Sequence, residues 1–116
     1  MSELPPQIQN MVPQLQQLQQ QLQAVVSQKA QLESMLRETE DAIEEVEKSA
    51  EGSAIFKAVG NVLVKAERDE VLKELKEKKE TTEIRIKSLE RQEERLKERL
   101  VELQKKLQSI LSPQAG

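Results

Sequence analysis

Residues 54–67 read AIFKAVGNVLVKAE. On either side the chain is rich in Gln, Glu, Lys and Arg with regularly spaced Leu, but here its single Phe sits among Val, Ile and Ala around a Gly-Asn pair. Gly60 and Asn61 suit the two central positions of a tight hairpin turn, where positive φ is needed. Counting outward sets Val59 against Val62, Ala58 against Leu63, Lys57 against Val64 and Phe56 against Lys65. Side chains alternate along a strand, so one face carries Ile55, Val59, Val62 and Val64 and the other carries Phe56, Ala58 and Leu63. Both faces are apolar, as in strands covered on both sides.

The flanks of this stretch repeat with a helical period. Stepping alternately by three and four, the first run reads Ile8, Met11, Leu15, Leu18, Leu22, Val25, Lys29, Leu32, Leu36, Thr39, Ile43, Val46 and Ala50. The second reads Leu72, Leu75, Lys79, Thr82, Ile86, Leu89, Glu93, Leu96, Leu100, Leu103, Leu107 and Ile110. An average step of about 3.5 residues is the signature of a left-handed coiled-coil seam. A Pro inside a helix removes a hydrogen bond, so Asn10 is expected as the N-cap, with Pro13 in the first turn. Gly52 supplies a stop for the first helix. Asp69 is the expected N-cap of the second, and Pro113 marks its end. The expected layout is a tail at 1–10, a coiled-coil helix at 11–51, a hairpin at 54–67, a second helix at 69–111 and a tail at 112–116, all in one domain. Each helix is roughly 60 Å long at 1.5 Å per residue. The short connector favours an antiparallel return. Glu74–Lys78, Glu83–Lys87 and Glu102–Lys106 are favourable four-apart pairs on the outer face.

The polar exceptions in the seam set its register. If facing residues have numbers that sum to 121 or 122, Leu36 meets Ile86, Leu22 meets Leu100 and Met11 meets Ile110. The same register brings Lys29 opposite Glu93 and Thr39 opposite Thr82. A slip of one heptad leaves Lys29 against Ile86 or Leu100, a charge unpaired in an apolar seam, which is strongly disfavoured. Lys29 and Glu93 are therefore the expected register pair. Lys79 faces Ile43 and is expected to reach solvent.

Composition excludes several functions. With 116 residues, about a third of them charged, one aromatic and three glycines, the chain has the make-up of long helices rather than of an aromatic-rich core. It has neither Cys nor His, which removes common zinc sites, disulfides, thiol catalysis and imidazole acid–base chemistry. No cofactor and no enzymatic activity are expected. The absence of Cys suits a cytoplasmic protein. No apolar run approaches the ~18 residues that span a bilayer, and MSELPPQIQN lacks the basic start and apolar stretch of a signal peptide. A net charge of −3 with both signs interspersed gives no basic footprint for nucleic acid. High Glu, Lys and Arg content with few Met points to a thermophilic source.

A lone two-stranded hairpin is marginal in water. The helices end beside it with their apolar stripes turned to each other, so its open edges and apolar faces call for strands from other chains. The expected fold class is mainly α: a long antiparallel two-helix coiled coil with a central β-hairpin that oligomerises into a multi-chain β-barrel. The assembly residues are Ile55, Phe56, Val59, Gly60, Val62, Leu63 and Val64.

Three stretches together carry a family resemblance: LPPQIQNMVPQLQQLQQQLQAVVSQKAQLE in the first helix, IFKAVGNVLVKAERDEVLKELKEK through the hairpin, and IKSLERQEERLKERL in the second helix. Across essentially its whole length the chain resembles prefoldin, specifically the β-type subunits of archaea. The connector has room for one hairpin, as in the β-type, whereas the α-type has two. The resemblance implies a hexamer of two α-type and four β-type subunits joined through a double β-barrel. It also implies ATP-independent capture of unfolded proteins and their delivery to a group II chaperonin.

The residues agree with passive binding, since no phosphate-binding glycine loop or other nucleotide motif is present. Capture of a nonnative chain needs exposed apolar surface at the helix ends. Leu4, Ile8, Met11, Val12 and Leu15 supply it on one helix, and Leu107, Ile110 and Leu111 on the other. Val12 and Leu111 lie beside seam positions, so the partner helix cannot bury them all. Pro5, Pro6 and Pro13 are expected to loosen the first helix's start, Met adapts to varied shapes, and weak contacts on several arms add up. The glutamines of PQLQQLQQQLQAVV keep this end soluble with little charge. The competing function is a structural adaptor that oligomerises through its hairpin and scaffolds one specific partner.

Overall fold

The computed structural model describes residues 4–112. Along the chain run α1 (Pro6–Lys48), β1 (Ile55–Val59), β2 (Val62–Ala66) and α2 (Arg68–Leu111). The residues pack as two units. One joins α1 up to Lys29 with α2 from Ser88, and the other holds Ala30–Lys87. Within each unit the two helices run antiparallel. In the second, Lys79 reaches Glu40 at 3.6 Å and Lys76 reaches Glu47 at 4.0 Å. In the first, Gln14–Gln21 of α1 line one groove with Arg99–Lys106 of α2, and Gln21–Gln28 line the next with Gln92–Arg99.

The heptad stripe is the core. Every seam position from Ile8 to Val46 and from Leu72 to Ile110 is buried or half-buried. The most enclosed apolar residues are Ile8, Met11, Val25, Leu32, Ile43, Ile86 and Leu89. Each buried side chain of this kind stabilises by about 1.5–3 kcal/mol, and no aromatic takes part. Ala50 is the exception: it is exposed, because α1 has already ended at Lys48.

The helix boundaries differ from those expected. Helix α1 begins at Pro6, not near Met11, and Asn10 lies inside it. A Pro at the first helical position has φ preset and lacks only an N–H that would be unpaired anyway. The Gln9 N–H donates to the Pro5 carbonyl at 3.1 Å, and Gln9 Nε2 donates to the Leu4 carbonyl at 2.8 Å. Pro13 consequently sits in the helix interior, where it costs about 3 kcal/mol. Burial of Ile8 and Met11, at about 1.5–3 kcal/mol each, offsets that cost and holds the segment on α2.

Two residues of the connector do work that was not read from the sequence. Arg68, the first residue of α2, donates from Nε to the Val46 carbonyl at 3.3 Å and from Nη2 to the Glu47 carbonyl at 3.2 Å. It thus caps the last turn of α1, where carbonyls lack partners and a cation complements the helix dipole. Ser49 adds an Oγ bond to the Val46 carbonyl at 2.6 Å. The chain then turns through Ala50–Ser53, closed by a 3.0 Å bond, with Gly52 at φ +85°. Helix α2 opens one residue before Asp69. The Glu67 carbonyl accepts from the Val71 N–H at 3.0 Å, and Asp69 and Glu70 place negative charge in the first turn.

The polar seam residues are all satisfied. Lys29 Nζ lies 2.6 Å from Glu93 Oε1, with the two side chains 24% and 13% exposed. Glu93 also meets Lys97 at 2.8 Å. The hydrogen bond from Lys29, reinforced by that from Lys97, holds the Glu93 carboxyl below the usual glutamate range. Thr39 and Thr82 are buried, and their hydroxyls donate to the Met35 and Lys78 carbonyls of their own helices. Lys79 reaches solvent as expected and also pairs with Glu40 at 3.6 Å. On the outer face, Glu74 turns to Lys57 instead of Lys78, while Glu83–Lys87 and Glu102–Lys106 do not close within 4.0 Å. Glu44–Lys48 and Glu93–Lys97 are the four-apart pairs that form among the described residues.

Ile84 and Ile86 give a direct test of the seam, since they are 60% and 7% exposed. Ile86→Ala is expected to cost about 2–5 kcal/mol in urea unfolding, and Ile84→Ala less than about 0.5 kcal/mol. For Glu93, a depressed carboxyl contributes stability above the ordinary glutamate range and loses it as pH falls through the depressed value. The melting-temperature advantage of the native chain over Glu93→Gln should therefore be present at about pH 7 and shrink toward about pH 3. An advantage independent of pH contradicts this assignment.

Candidate functional site

Among the described residues no cluster of acidic side chains is arranged to hold a metal ion, and no helix is long and apolar enough to cross a membrane. The surfaces that stand out are apolar: the hairpin and the helix ends.

The hairpin pairs Ile55 with Ala66, Phe56 with Lys65, Lys57 with Val64, Ala58 with Leu63 and Val59 with Val62. Gly60 has φ +60°, and among the described residues none other than glycine has positive φ. The turn therefore places its left-handed residue first, the primed geometry whose twist matches that of the strands. An added Cβ at Gly60 would meet nothing within 4 Å, so the glycine answers a backbone requirement rather than crowding.

Neither face of the hairpin is covered. Phe56 is 57% exposed and Leu63 70% on one face, and Val62 is 61% exposed on the other, where Val59 and Val64 are also open. Only Ile55 and Ala66, where the strands meet the helices, are half-buried. Lys57 Nζ reaches Glu74 at 3.1 Å and fastens β1 to α2. Because the sheet has two strands, each strand also has one edge of backbone N–H and C=O groups without a ladder partner. The physical character of this element is an apolar, hydrogen-bonding surface held on a fixed turn.

At the helix ends, the residues expected to bind nonnative chains divide by burial. Leu4, Val12 and Leu111 are exposed, at 53%, 36% and 55%. Leu15, Leu107 and Ile110 are half-buried. Ile8 and Met11 are enclosed in the seam at 3% and 7% and become available only if the helices part. All these residues belong to one unit. Pro113 and the rest of the C-terminal tail lie outside the described residues, as do the first three positions. Val26, Met35, Ile84 and Val101 are further exposed apolar residues, outside the expected seam. The signal was available for Val26 and Val101, because each directly follows a seam position and so sits on its flank.

Comparison with known proteins places this architecture. The family model described as "Prefoldin subunit" matches residues 9–114. The prefoldin subunit beta of Archaeoglobus fulgidus is 64% identical over 116 residues, covering 100% of both chains. That of Methanocella arvoryzae is 55% identical over 116 residues, covering 100% of this chain and 92% of its own. The crystal structure of the prefoldin beta subunit from Thermococcus strain KS-1 superposes with a TM-score of 0.89 at 45% identity, covering 98% of this chain and 100% of that one. With a family model matched over residues 9–114 and 64% identity over its full length to an archaeal prefoldin subunit beta, the chain belongs to the prefoldin subunit family.

Proposed function

We propose that this chain is a β-type subunit of a hexameric holdase. Two α-type and four β-type chains join through their hairpins into a double β-barrel, and the coiled-coil ends capture unfolded proteins without ATP and pass them to a group II chaperonin in the cytoplasm. The observation that carries this reading is the hairpin, whose Phe56, Val59, Val62, Leu63 and Val64 are exposed on both faces of a sheet with two open edges. Burying side chains of this size is worth about 1.5–3 kcal/mol each, and pairing the edges satisfies backbone groups at the same time. Strands from neighbouring subunits meet both needs.

Capture at the helix ends is supported by the exposure of Leu4, Val12 and Leu111 beside seam residues that local opening releases. The N-terminal segment is poised for such opening, because Pro13 removes one hydrogen bond from α1. Absence of a nucleotide-binding loop from the sequence fits passive exchange, in which many weak contacts on several subunits replace an ATP-driven cycle. A scaffold for one specific partner would use the same hairpin but not promiscuous ends.

Phe56→Glu with Leu63→Glu is expected to abolish assembly with an α-type partner in native mass measurements while leaving helical circular dichroism largely intact. Retained assembly of that variant contradicts the hairpin's role. Removing residues 1–10 and 108–116 is expected to leave assembly in place but eliminate suppression of aggregation for unrelated unfolded proteins. Undiminished suppression by the trimmed complex removes the helix ends as the capture surface, and no suppression by the intact complex favours the scaffold.

A further inference from the structure

In the unit formed by the first part of α1 and the last part of α2, charge is one-sided. From Leu4 to Gln28 the chain carries no charged residue, whereas Ser88–Leu111 is densely charged. Along one flank of the seam the two grooves adjoin at Gln21 and Arg99 and together form an open channel. Its α1 wall is made of glutamines, among them Gln14, Gln21 and Gln28, and its α2 wall carries Arg95, Arg99 and Lys106. Leu18, Val25, Leu96 and Leu103 form an apolar floor.

Flanking positions of a coiled coil ordinarily meet opposite charges across the seam. Here the facing amides offer none. Among the described residues Arg95, Arg99 and Lys106 make no ion pair within 4.0 Å, and Arg95 Nε turns back to the Arg91 carbonyl at 3.4 Å. Glu102 also lines the groove, yet it closes on none of these cations. Arg99 and Lys106 are one heptad apart, and Arg95 is one turn before Arg99. The wall therefore repeats with the period of a helix lying alongside it.

We propose that this groove docks an acidic amphipathic helix of another protein as a third strand. The incoming helix sets its apolar stripe on the half-buried Leu18, Leu96 and Leu103 and its carboxylates against Arg95, Arg99 and Lys106. The glutamine amides of α1, which both donate and accept, hydrogen-bond its polar edge without imposing a charge. The acidic part of this chain's own α1, around Glu40–Glu47, is not the occupant, since its apolar residues Ile43 and Val46 are already in a seam. The apolar floor and Glu102 in the wall disfavour a phosphate backbone. This surface adjoins but shares no residue with the helix-end set proposed for capture, and it selects by charge, so its failure leaves the holdase reading untouched.

The test uses the full chain and a fluorescein-labelled peptide of about three heptads, with Leu at the seam positions and Glu on both flanks; like charges keep such a peptide from pairing with itself at neutral pH. In fluorescence anisotropy this peptide is expected to bind and to weaken with added salt, while its Glu→Lys counterpart does not bind. The double variant Arg95→Gln with Arg99→Gln should weaken binding about tenfold. Lys87→Gln with Lys105→Gln, which removes the same charge away from the groove, should leave it unchanged. Circular dichroism confirms that both variants keep their helices. No binding of the acidic peptide overturns the proposal, as does an equal loss in both variants. Equally tight binding of an oligothymidylate, lost in the groove variant, assigns the groove to nucleic acid and overturns it too.

Discussion

A two-stranded sheet cannot cover itself. Its two faces and two outer edges remain open unless something else lies against them, and here the faces carry Phe56, Val59, Val62, Leu63 and Val64, all exposed. The helices that flank the hairpin have turned their apolar stripes to each other, leaving only Ile55 and Ala66 partly shielded and one ion pair, Lys57–Glu74, fastening the strands. Exposed apolar strands with free edges are ordinarily an aggregation hazard. In the assembly proposed above, the same surface is what joins the subunits, and the helices leave it uncovered.

The coiled coil shows how a chain with a single aromatic residue still forms a defined structure. Its apolar contacts are spread along the seam rather than gathered in one core, so each position contributes modestly and no position dominates. Specificity comes from the polar exceptions. Glu93 receives both Lys29 and Lys97, which favours its ionised form within the seam. Thr39 and Thr82 bury their hydroxyls against their own helices and leave nothing unsatisfied. At the connector, Arg68 closes the end of one helix while beginning the other, so the approach to the hairpin is set by hydrogen bonds rather than by packing.

Much of this is legible in the amino-acid sequence. The 3–4 spacing of Leu, Ile and Val marked the residues that turn out to be enclosed, because a coiled-coil seam is a strictly local pattern projected onto a partner of known geometry. The Gly60–Asn61 pair fixed the strand pairing residue by residue, because a two-residue turn leaves no freedom of register. Lys29 opposite Glu93 followed from the cost of leaving either alone. The helix starts were harder. Asn10 and Asp69 look like caps from local chemistry, yet α1 begins at Pro6 because burial of Ile8 and Met11 outweighs the proline at 13, a tertiary effect that no local rule contains. The partners of Lys79, Glu74 and Arg68 depend on which outer side chains come within reach across the seam or hairpin, and heptad numbering alone does not supply that. At the helix ends heptad position alone does not separate the enclosed Ile8 and Met11 from the open Leu4, Val12 and Leu111.

Amide hydrogen exchange across residues 55–66 measures the central claim most directly, because it reports on the backbone edges themselves. If the hairpin is completed by other chains, the outward-facing N–H groups of β1 and β2 exchange slowly in the assembled particle and rapidly once it is diluted into separate chains, while helix amides of the seam change far less. Outer-edge amides equally protected in a dilute, monomeric chain contradict the account, for they would mean that this hairpin needs no neighbour.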